Sequence, residues 1–338
     1  MPMINEQDKK NNRQIAFWLF SVCALIFLMI VVGGITRLTE SGLSMVDWHP
    51  IHGVVPPLNE VEWQEEFNAY KQYPEYQKVN SGMTLEEFKG IFFWEYSHRI
   101  LGRLIGLAFF IPFMLFLLRG KVMPSLKPRL WIMFILGGLQ GLLGWWMVKS
   151  GLVDRPDVSH YRLTAHLGLA VLIYLYIFWT ALDLVSPRAA SRRLSRSAAV
   201  LVLLVFGQIL LGGLVAGLNA GFIYTDWPLM DGQLIPAGLF DESPWYMNFF
   251  ENLMTVQFDH RIGAYIITIM SAWLVWKNRL YRPLASLLLA AAVLVQVTLG
   301  ILTLVHVVPI PLAALHQAGA IVLLSAGLYF LHRLKQEH

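Results

Sequence analysis

The sequence predicts an all-α integral membrane protein: eight transmembrane helices in two parallel-repeated four-helix bundles, with both termini in the cytoplasm. Of its 338 residues 56% are hydrophobic and only 14% are charged, a composition that excludes an ordinary soluble domain. Apolar segments long enough to cross a bilayer recur along the whole chain. The second half also repeats the motifs of the first half in the same order, which indicates an internal duplication.

The apolar segments predict the helices, and the polar stretches between them predict the domain boundaries. The segments run near 16–35, 92–118, 130–149, 162–185, 198–218, 255–276, 284–305 and 311–331. The first segment lacks a cleavage signature, so we expect it to be a retained helix rather than a signal peptide. The predicted organisation is a cytoplasmic N-terminal tail (1–15), an N-terminal bundle (16–185), a cytoplasmic linker (186–197), a C-terminal bundle (198–331) and a cytoplasmic tail (332–338).

The charge distribution predicts the orientation. Three short connections, 119–129, 186–197 and 277–283, carry basic residues (Lys or Arg) and no acid, so the positive-inside rule places them in the cytoplasm. On the opposite side, residues 36–91 carry nine acids against four bases, and residues 219–254 carry five acids with no Lys or Arg. Basic residues confined to short loops argue for a lipid membrane and against a nucleic-acid partner. The long first outer loop is predicted to include a short amphipathic helix.

The repeat is visible in several pairs of motifs. GGITRLTESG at 33–42 resembles GGLVAGLNAG at 212–221, and EYSHRILGR at 95–103 shares a His-Arg pair with QFDHRIGAY at 257–265. A Gln followed four residues later by Gly occurs at Gln140 and again at Gln296. Each half contains an even number of spans, so the two copies share one orientation and form a parallel repeat.

Four histidines occupy matching depths in the predicted helices, one pair in each half: His98, His166, His260 and His316. Two imidazoles from facing helices of a bundle suit the axial positions of a haem iron, whereas zinc prefers a larger tetrahedral set. The single cysteine, Cys23, excludes a Cys-based cluster. The alternative is that each histidine is a hydrogen-bonded packing residue, which the doubled register argues against. Glycines within a turn of the histidines are expected to make room for a macrocycle: Gly102, Gly168, Gly263 and Gly319.

A carboxylate distinguishes the two halves. Glu95 lies three residues before His98 and therefore on the same helix face, where it could act as a base or stabilise positive charge. The matching residue in the second half is Gln257, which cannot ionise. The sequence therefore predicts a reacting site in the first half and an electron-accepting or structural site in the second.

Two arginines directly follow their histidines. A buried Arg in a membrane needs an anionic partner, so Arg99 and Arg261 are predicted to bind haem propionates. The alternative for Arg99 is an i,i+4 pair with Glu95. Arg37 and Arg103 are further candidates for propionate contacts.

The remaining histidines have no assigned role in this scheme. Three lie in the predicted outer loops, where they could close the site but are expected to be solvated: His49, His52 and His160. His306 has no counterpart in the first half, and the two histidines of the predicted cytoplasmic tail, His332 and His338, are expected to be inert.

These motifs together resemble the haem A synthase family over residues 16–331. The resemblance rests on GGITRLTESGLSMVDWHP, FFWEYSHRILGR, RLTAHLGLA, AGFIYTDWPLMDGQLIP, QFDHRIGAY and LHQAGA, in this order. The long outer loop without cysteines is similar to the mitochondrial and proteobacterial branch. The resemblance implies an oxidoreductase that converts the pyrrole D methyl group of haem O to a formyl group by successive hydroxylations, with oxygen derived from water. Its product, haem A, would supply cytochrome oxidase.

The resemblance also implies residue roles and partners. Glu95 would be the catalytic carboxylate, His98 and His166 would ligate the haem O substrate, and His260 and His316 would ligate a permanent haem b. The implied location is a bacterial inner membrane, with the haem sites near the periplasmic side. Implied partners are haem O synthase (a farnesyltransferase) upstream, an unidentified electron acceptor or donor, and a second copy in a homo-oligomer. Two rival classes are a dihaem b-type electron carrier and a transporter with histidines in a proton relay.

Overall fold

The computed structural model describes residues 6–46, 55–152, 156–186 and 194–334, and these ranges form helices and connecting loops without any β-strand. The predicted all-α class is therefore confirmed. In chain order the helices are α1 (Glu6–Leu38), α2 (Glu60–Tyr70), α3 (Pro74–Lys78), α4 (Leu85–Leu118), α5 (Lys127–Val148), α6 (His160–Val185), α7 (Leu194–Gly217), α8 (Asn248–Glu251), α9 (Leu253–Asn278), α10 (Pro283–Val305) and α11 (Ile310–Leu334).

Seven of the described helices are long and apolar enough to cross a membrane: α1, α4, α5, α6, α7, α10 and α11. The eighth predicted span corresponds to α9, which has 26 residues but does not belong to this set. His260 and Arg261 near its start and Lys277 near its end lower its hydropathy. Seven candidate spans agree with the sequence analysis, and the eighth stays a prediction.

The long helices extend beyond the apolar segments that predicted them. α1 begins at Glu6, ten residues before the predicted span, and α4 begins at Leu85, seven residues before its span. At α4 the cause is local, because Thr84 accepts a hydrogen bond from the Glu87 backbone and the Glu87 side chain accepts one from Thr84. This capping box starts the helix in polar sequence, where an apolar window cannot detect it.

In each half, four long helices pack in a ring: the first and third helices each contact the second and the fourth. The ring is α1, α4, α5 and α6 in the first half, and α7, α9, α10 and α11 in the second. The halves meet where α1 and α6 contact α11 and where α6 contacts α7. The repeat extends to the backbone, since Glu40 and Asn219 follow α1 and α7 at matching positions with left-handed φ angles of 50° and 56°. The second and fourth helices of each half therefore lie across the ring from each other.

A cap of polar and aromatic residues covers the start of α4. It comprises residues 41–46 and 59–84, including α2 and α3, and its apolar side packs on Phe88 and Phe92 of α4. In α2, which is the amphipathic helix expected in the long loop, Phe67 and Tyr70 are buried against this cluster. The cap thus covers the end of the first-half ring at which α4, the helix that carries Glu95, begins.

Candidate functional site

The four predicted ligand histidines lie on the second and fourth helices of the two rings. His98 is on α4 and His166 on α6, while His260 is on α9 and His316 on α11. All four side chains are partly buried. Because these helices face each other across their rings, each half brings one histidine pair towards the middle of a bundle.

Each histidine ring lies directly against a glycine of the preceding long helix in its half. We call each of these contacts a histidine seat: Gly33 with His98, Gly144 with His166, Gly212 with His260 and Gly300 with His316. A Cβ atom at these glycines would lie 3.0, 2.9, 3.3 and 2.8 Å from the respective ring, so a larger residue would displace the imidazole. The glycines expected from the sequence, on the histidines' own helices, face other side chains: Met29, Leu210, Gln208 and Gln296.

Three of the four seats also carry a glutamine, four residues before the seat glycine and therefore on the same helix face. The distances from the amide nitrogen to the imidazole Nδ1 are 3.2 Å for Gln140 and His166, 3.1 Å for Gln208 and His260, and 3.2 Å for Gln296 and His316. Gln208 was not predicted from the sequence, although QILLG at 208–212 has the same Gln–Gly spacing as Gln140 and Gln296 with their glycines. For His260 and His316 the glutamine contacts Nδ1 of the ring, whereas the Gln140 amide nitrogen also lies 3.4 Å from Nε2 of His166.

The second-half pair has the spacing of two ligands to one metal ion. The ring centroids of His260 and His316 are 6.4 Å apart, with the ring planes at 74°. Two metal–nitrogen bonds of about 2 Å, plus the radii of two imidazole rings, give a centroid separation of about 6 Å. The interplanar angle is compatible with this arrangement, because each ring can rotate about its own metal–nitrogen bond. The residues present therefore fit an iron held between two imidazoles.

Glu95 is almost fully buried, with 3% of its surface exposed, and is held by three donors. Its Oε2 accepts hydrogen bonds from Ser44 Oγ at 2.7 Å and from the Met45 backbone N–H at 2.8 Å. Its Oε1 accepts from Arg99 Nη2 at 2.5 Å, and the same nitrogen donates to the Met45 carbonyl at 2.9 Å. The intrahelical ion pair that the sequence offered as an alternative for Arg99 is thus present, and the cap supplies its other partners.

The matching position in the second half is neutral. Gln257 is equally buried and donates from its amide to the Tyr224 carbonyl at 2.8 Å. Arg261 donates to the backbone carbonyls of Tyr224, Asp226 and Leu229 at 3.0, 3.0 and 2.9 Å. Its Nε atom is buried without a hydrogen-bond partner among the described residues. The second half therefore places a cation beside its seat without a carboxylate on the same helix face.

The other two predicted propionate contacts occupy different places. Arg37, at the end of α1, donates to the Ala216 carbonyl and to Asn219 Oδ1, both at 3.1 Å. It therefore joins the two halves. Arg103 is partly buried on α4, one turn beyond Arg99. Propionate binding by Arg37, Arg99, Arg103 and Arg261 stays a prediction.

The structure corrects the expectation of a solvated His160. Its side chain is buried at the start of α6, with Nε2 3.5 Å from Glu251 Oε2. The neighbouring Tyr161 hydroxyl donates to Glu251 Oε1 at 2.6 Å. Gly217 at the end of α7 packs against the His160 Cβ. His160 is therefore buried by a contact between the two halves, which cannot be predicted from the composition of a loop.

The predicted placement of His332 in the C-terminal tail is also wrong, while its expected inertness stays a prediction. This residue belongs to α11, is fully buried, and lies 3.2 Å from Asp183 Oδ1 with its ring edge-on to Trp179. His306 is exposed at the end of α10, where its ring contacts the Leu302 carbonyl. His49, His52 and His338 lie outside the described residues.

The fold and site define a helical, membrane-spanning protein with a duplicated bundle and one histidine pair in each copy. The COX15-CtaA family model, described as cytochrome oxidase assembly protein, matches residues 16–328. A protein of Parvibaculum lavamentivorans named "Heme A synthase" is 52% identical over 339 residues, covering 99% of this chain and 98% of the relative. Proteins with the same name from Nitrosospira multiformis (52% over 348 residues, 100% and 98% covered) and Bradyrhizobium diazoefficiens (51% over 330 residues, 95% and 92% covered) are also similar. The chain belongs to the haem A synthase family, as the resemblance predicted.

A second buried carboxyl lies in the cap. Glu75 has 4% of its surface exposed, and its Oε2 has no hydrogen-bond partner within the described ranges. Burial raises the pKa of this carboxyl from about 4.5 to about 8, and the nearby carboxylates of Glu95 and Glu40 act in the same direction. The folded cap therefore holds a proton that the unfolded chain loses above pH 4.5.

This proton gives the cap a pH-dependent stability. Between the unfolded pKa near 4.5 and the folded pKa of about 8, the folded state binds more protons, so stability falls as pH rises and levels off above 8. We expect hydrogen exchange of the α2 amides, corrected for intrinsic rates, to show decreasing protection from pH 5 to 8. Glu75→Gln should flatten this profile, whereas the exposed Glu86→Gln should not. Identical profiles for Glu75→Gln and the wild type would contradict the assignment.

Proposed function

We propose that this chain is a haem A synthase, which oxidises the pyrrole D methyl group of haem O to a formyl group by successive hydroxylations. The observation that carries the proposal is the asymmetry between two otherwise matching sites. Both halves present a histidine pair in glycine seats, but only the first half has a buried carboxylate one turn from its histidine. The proposal is also supported by the family to which the chain belongs and by similar proteins that are named for this activity.

In this proposal the two histidine pairs have different tasks. His98 and His166 hold the haem O substrate, and His260 and His316 hold a haem b. When bound, haem b supplies one-electron redox chemistry. Oxidation of a methyl group with water as the oxygen source releases electrons and protons, so an electron acceptor is required as a partner. Haem O synthase is the proposed source of substrate, and a homo-oligomer is the proposed assembly.

Glu95 is the group that moves protons in the first half. Its carboxylate lies on the His98 face of α4, so a proton released near a porphyrin held there has an acceptor within reach. Arg99, Ser44 and the Met45 backbone fix the orientation of the carboxylate. The packed aromatic residues of the cap limit the access of bulk water.

The proposed topology has eight spans with both termini in the cytoplasm of a bacterial cell. α9 is 26 residues long and packs between α7 and α10, both long enough to cross, which supports α9 as the eighth span. His98, His166 and His260 lie towards the ends of their helices that are opposite the basic connections 119–129, 186–197 and 277–283. The positive-inside rule then places both haem sites near the periplasmic side of the inner membrane.

Identification of the bound haems tests this function. We expect the purified wild-type protein to contain haem b together with a variable amount of haem O or haem A, measured by acid–acetone extraction and chromatography. A dihaem electron carrier, which the duplicated seats would also suit, would contain two equivalents of haem b. A transporter would show no Soret absorption. Either of these outcomes would reject the proposed activity.

A further inference from the structure

The four histidine seats differ at one position. The residue four places before the seat glycine is Gln140, Gln208 or Gln296 in three of them, and Met29 in the seat of His98. Met29 occupies the place that Gln208 has in the second half. The Met29 methyl group lies against Gly102, four residues after His98 on α4, and the Gln208 amide lies against Gly263, three residues after His260 on α9. Within the described ranges, the His98 ring makes no hydrogen bond comparable to those of the other three rings.

The three glutamines have a shared feature that points to ligand binding. Each amide oxygen, Oε1, is buried and has no hydrogen-bond partner among the described residues. In this arrangement the amide nitrogens of Gln140 and Gln208 also donate to the backbone carbonyls of His166 and His260, at 3.0 and 2.6 Å. An amide that gives up this bond and turns its Oε1 towards the ring can instead accept a hydrogen bond from the imidazole Nδ1. An imidazole whose Nδ1–H donates to this oxygen has a free lone pair on Nε2, as ligation requires. A methionine thioether is a weak acceptor and cannot replace the amide oxygen.

A hydrogen bond of this kind changes how strongly a ligand binds. An acceptor at the second ring nitrogen fixes the ring orientation and raises the basicity of the ligating nitrogen; losing it typically costs 10–100-fold in metal affinity. The His98 seat has the glycine but lacks the acceptor. His98 also turns a different edge to its glycine, with Nε2 nearest Gly33, whereas Cε1 is nearest in the other three seats.

We propose that Gln140, Gln208 and Gln296 are positioning residues for His166, His260 and His316, and that Met29 makes His98 the weakly held ligand. This inference rests on the proposed function, in which the first half must release its porphyrin and the second half must retain it. One residue on α1 then sets the difference in retention between two otherwise similar histidine pairs.

Two single variants, Met29→Gln and Gln208→Met, each give one seat the residue of the other and so test the proposal. The full-length protein in detergent is mixed with excess apomyoglobin, and haem loss is followed by the Soret band. We expect a fast phase from the first half and a slow phase from the second. Met29→Gln should slow the fast phase about tenfold or more, and Gln208→Met should accelerate the slow phase by a similar factor and shift the haem b midpoint potential. Met29→Leu is the matched control and should leave both phases unchanged.

Further variants separate an acceptor role from packing. Gln208→Glu keeps an acceptor at the same place, so its haem loss should stay slow, unlike that of Gln208→Met. Gln208→Leu lacks an acceptor and should lose haem as fast as Gln208→Met. Equal fast-phase rates for Met29→Gln and Met29→Leu would overturn the inference. An unchanged slow phase and potential in Gln208→Met would do the same, and if that variant does not fold, Met29→Gln decides alone. Failure of the proposed function is seen independently, as wild-type protein that contains two equivalents of haem b.

Discussion

Replacing Glu95 by glutamine should abolish haem A formation while the haem b of the second half remains bound. The change makes the first half resemble the second, where Gln257 occupies the same position. Glutamine can still accept hydrogen bonds from Ser44 Oγ and the Met45 backbone, so the cap keeps two of its contacts with α4. What is lost is a group that can take up a proton, and general-base catalysis contributes about 10²–10⁴-fold to a rate. Haem A is measured by pigment extraction from cells that supply haem O.

Two controls keep this result interpretable. Glu86→Gln, on the exposed side of the same helix, should leave haem A output unchanged. The haem b spectrum of Glu95→Gln reports whether the protein folds, because that site lies in the other half. Normal haem A output from Glu95→Gln would refute the catalytic role of Glu95.

The ion pair between Glu95 and Arg99 allows the loss of a base to be distinguished from the effect of an unpaired Arg99. Removing one partner of a buried pair leaves an uncompensated charge and typically destabilises a protein by about 3–5 kcal/mol, whereas replacing both is often tolerated. The double variant Glu95→Gln/Arg99→Met should therefore recover protein yield relative to Glu95→Gln without recovering haem A formation. Recovery of activity in the double variant would show that Arg99 without its partner, rather than loss of a base, caused the defect.

The histidine register could be predicted from sequence because duplication repeats it. A lone histidine in an apolar helix is ambiguous, but four in one order on two sets of helices constrain each other. The asymmetry between Glu95 and Gln257 was readable for the same reason. The spacing of residues along the sequence shows only which residues are neighbours on the same helix. It therefore indicated Gly102 and Gly263 as the glycines nearest to the histidines.

The seat glycines lie on neighbouring helices, and helix packing determines those contacts. His160 and His332 were misjudged for a related reason. Their surroundings are created by α7 in one case and by Asp183 of α6 in the other, far away in sequence. Glu75 was not singled out, since nothing in the sequence of an acidic loop distinguishes a carboxyl that becomes buried on folding. The difference between Met29 and Gln208 was recognised only after the structure showed that they occupy equivalent positions in the seats of His98 and His260.

Replacing His260 by alanine should remove the tightly bound haem b. His260 and His316 have the spacing of two ligands to one iron, so loss of one imidazole leaves a single protein ligand. The seat of Gly212 and the Gln208 amide cannot compensate, because neither supplies a nitrogen lone pair at the position of Nε2. Haem b per protein, measured by the pyridine haemochrome assay after purification, should fall to a small fraction of the wild-type value.

The matched control is His306→Ala, which removes an exposed imidazole at the end of α10 and should retain full haem b. His98→Ala should also retain haem b, because its seat belongs to the other half, and should instead lose haem O and haem A. The pair of variants therefore tests the division of tasks as well as the ligand. Retention of haem b at full occupancy in His260→Ala, or its loss in His98→Ala, would reverse the assignment of permanent and exchangeable sites, even if haem A synthesis itself were established.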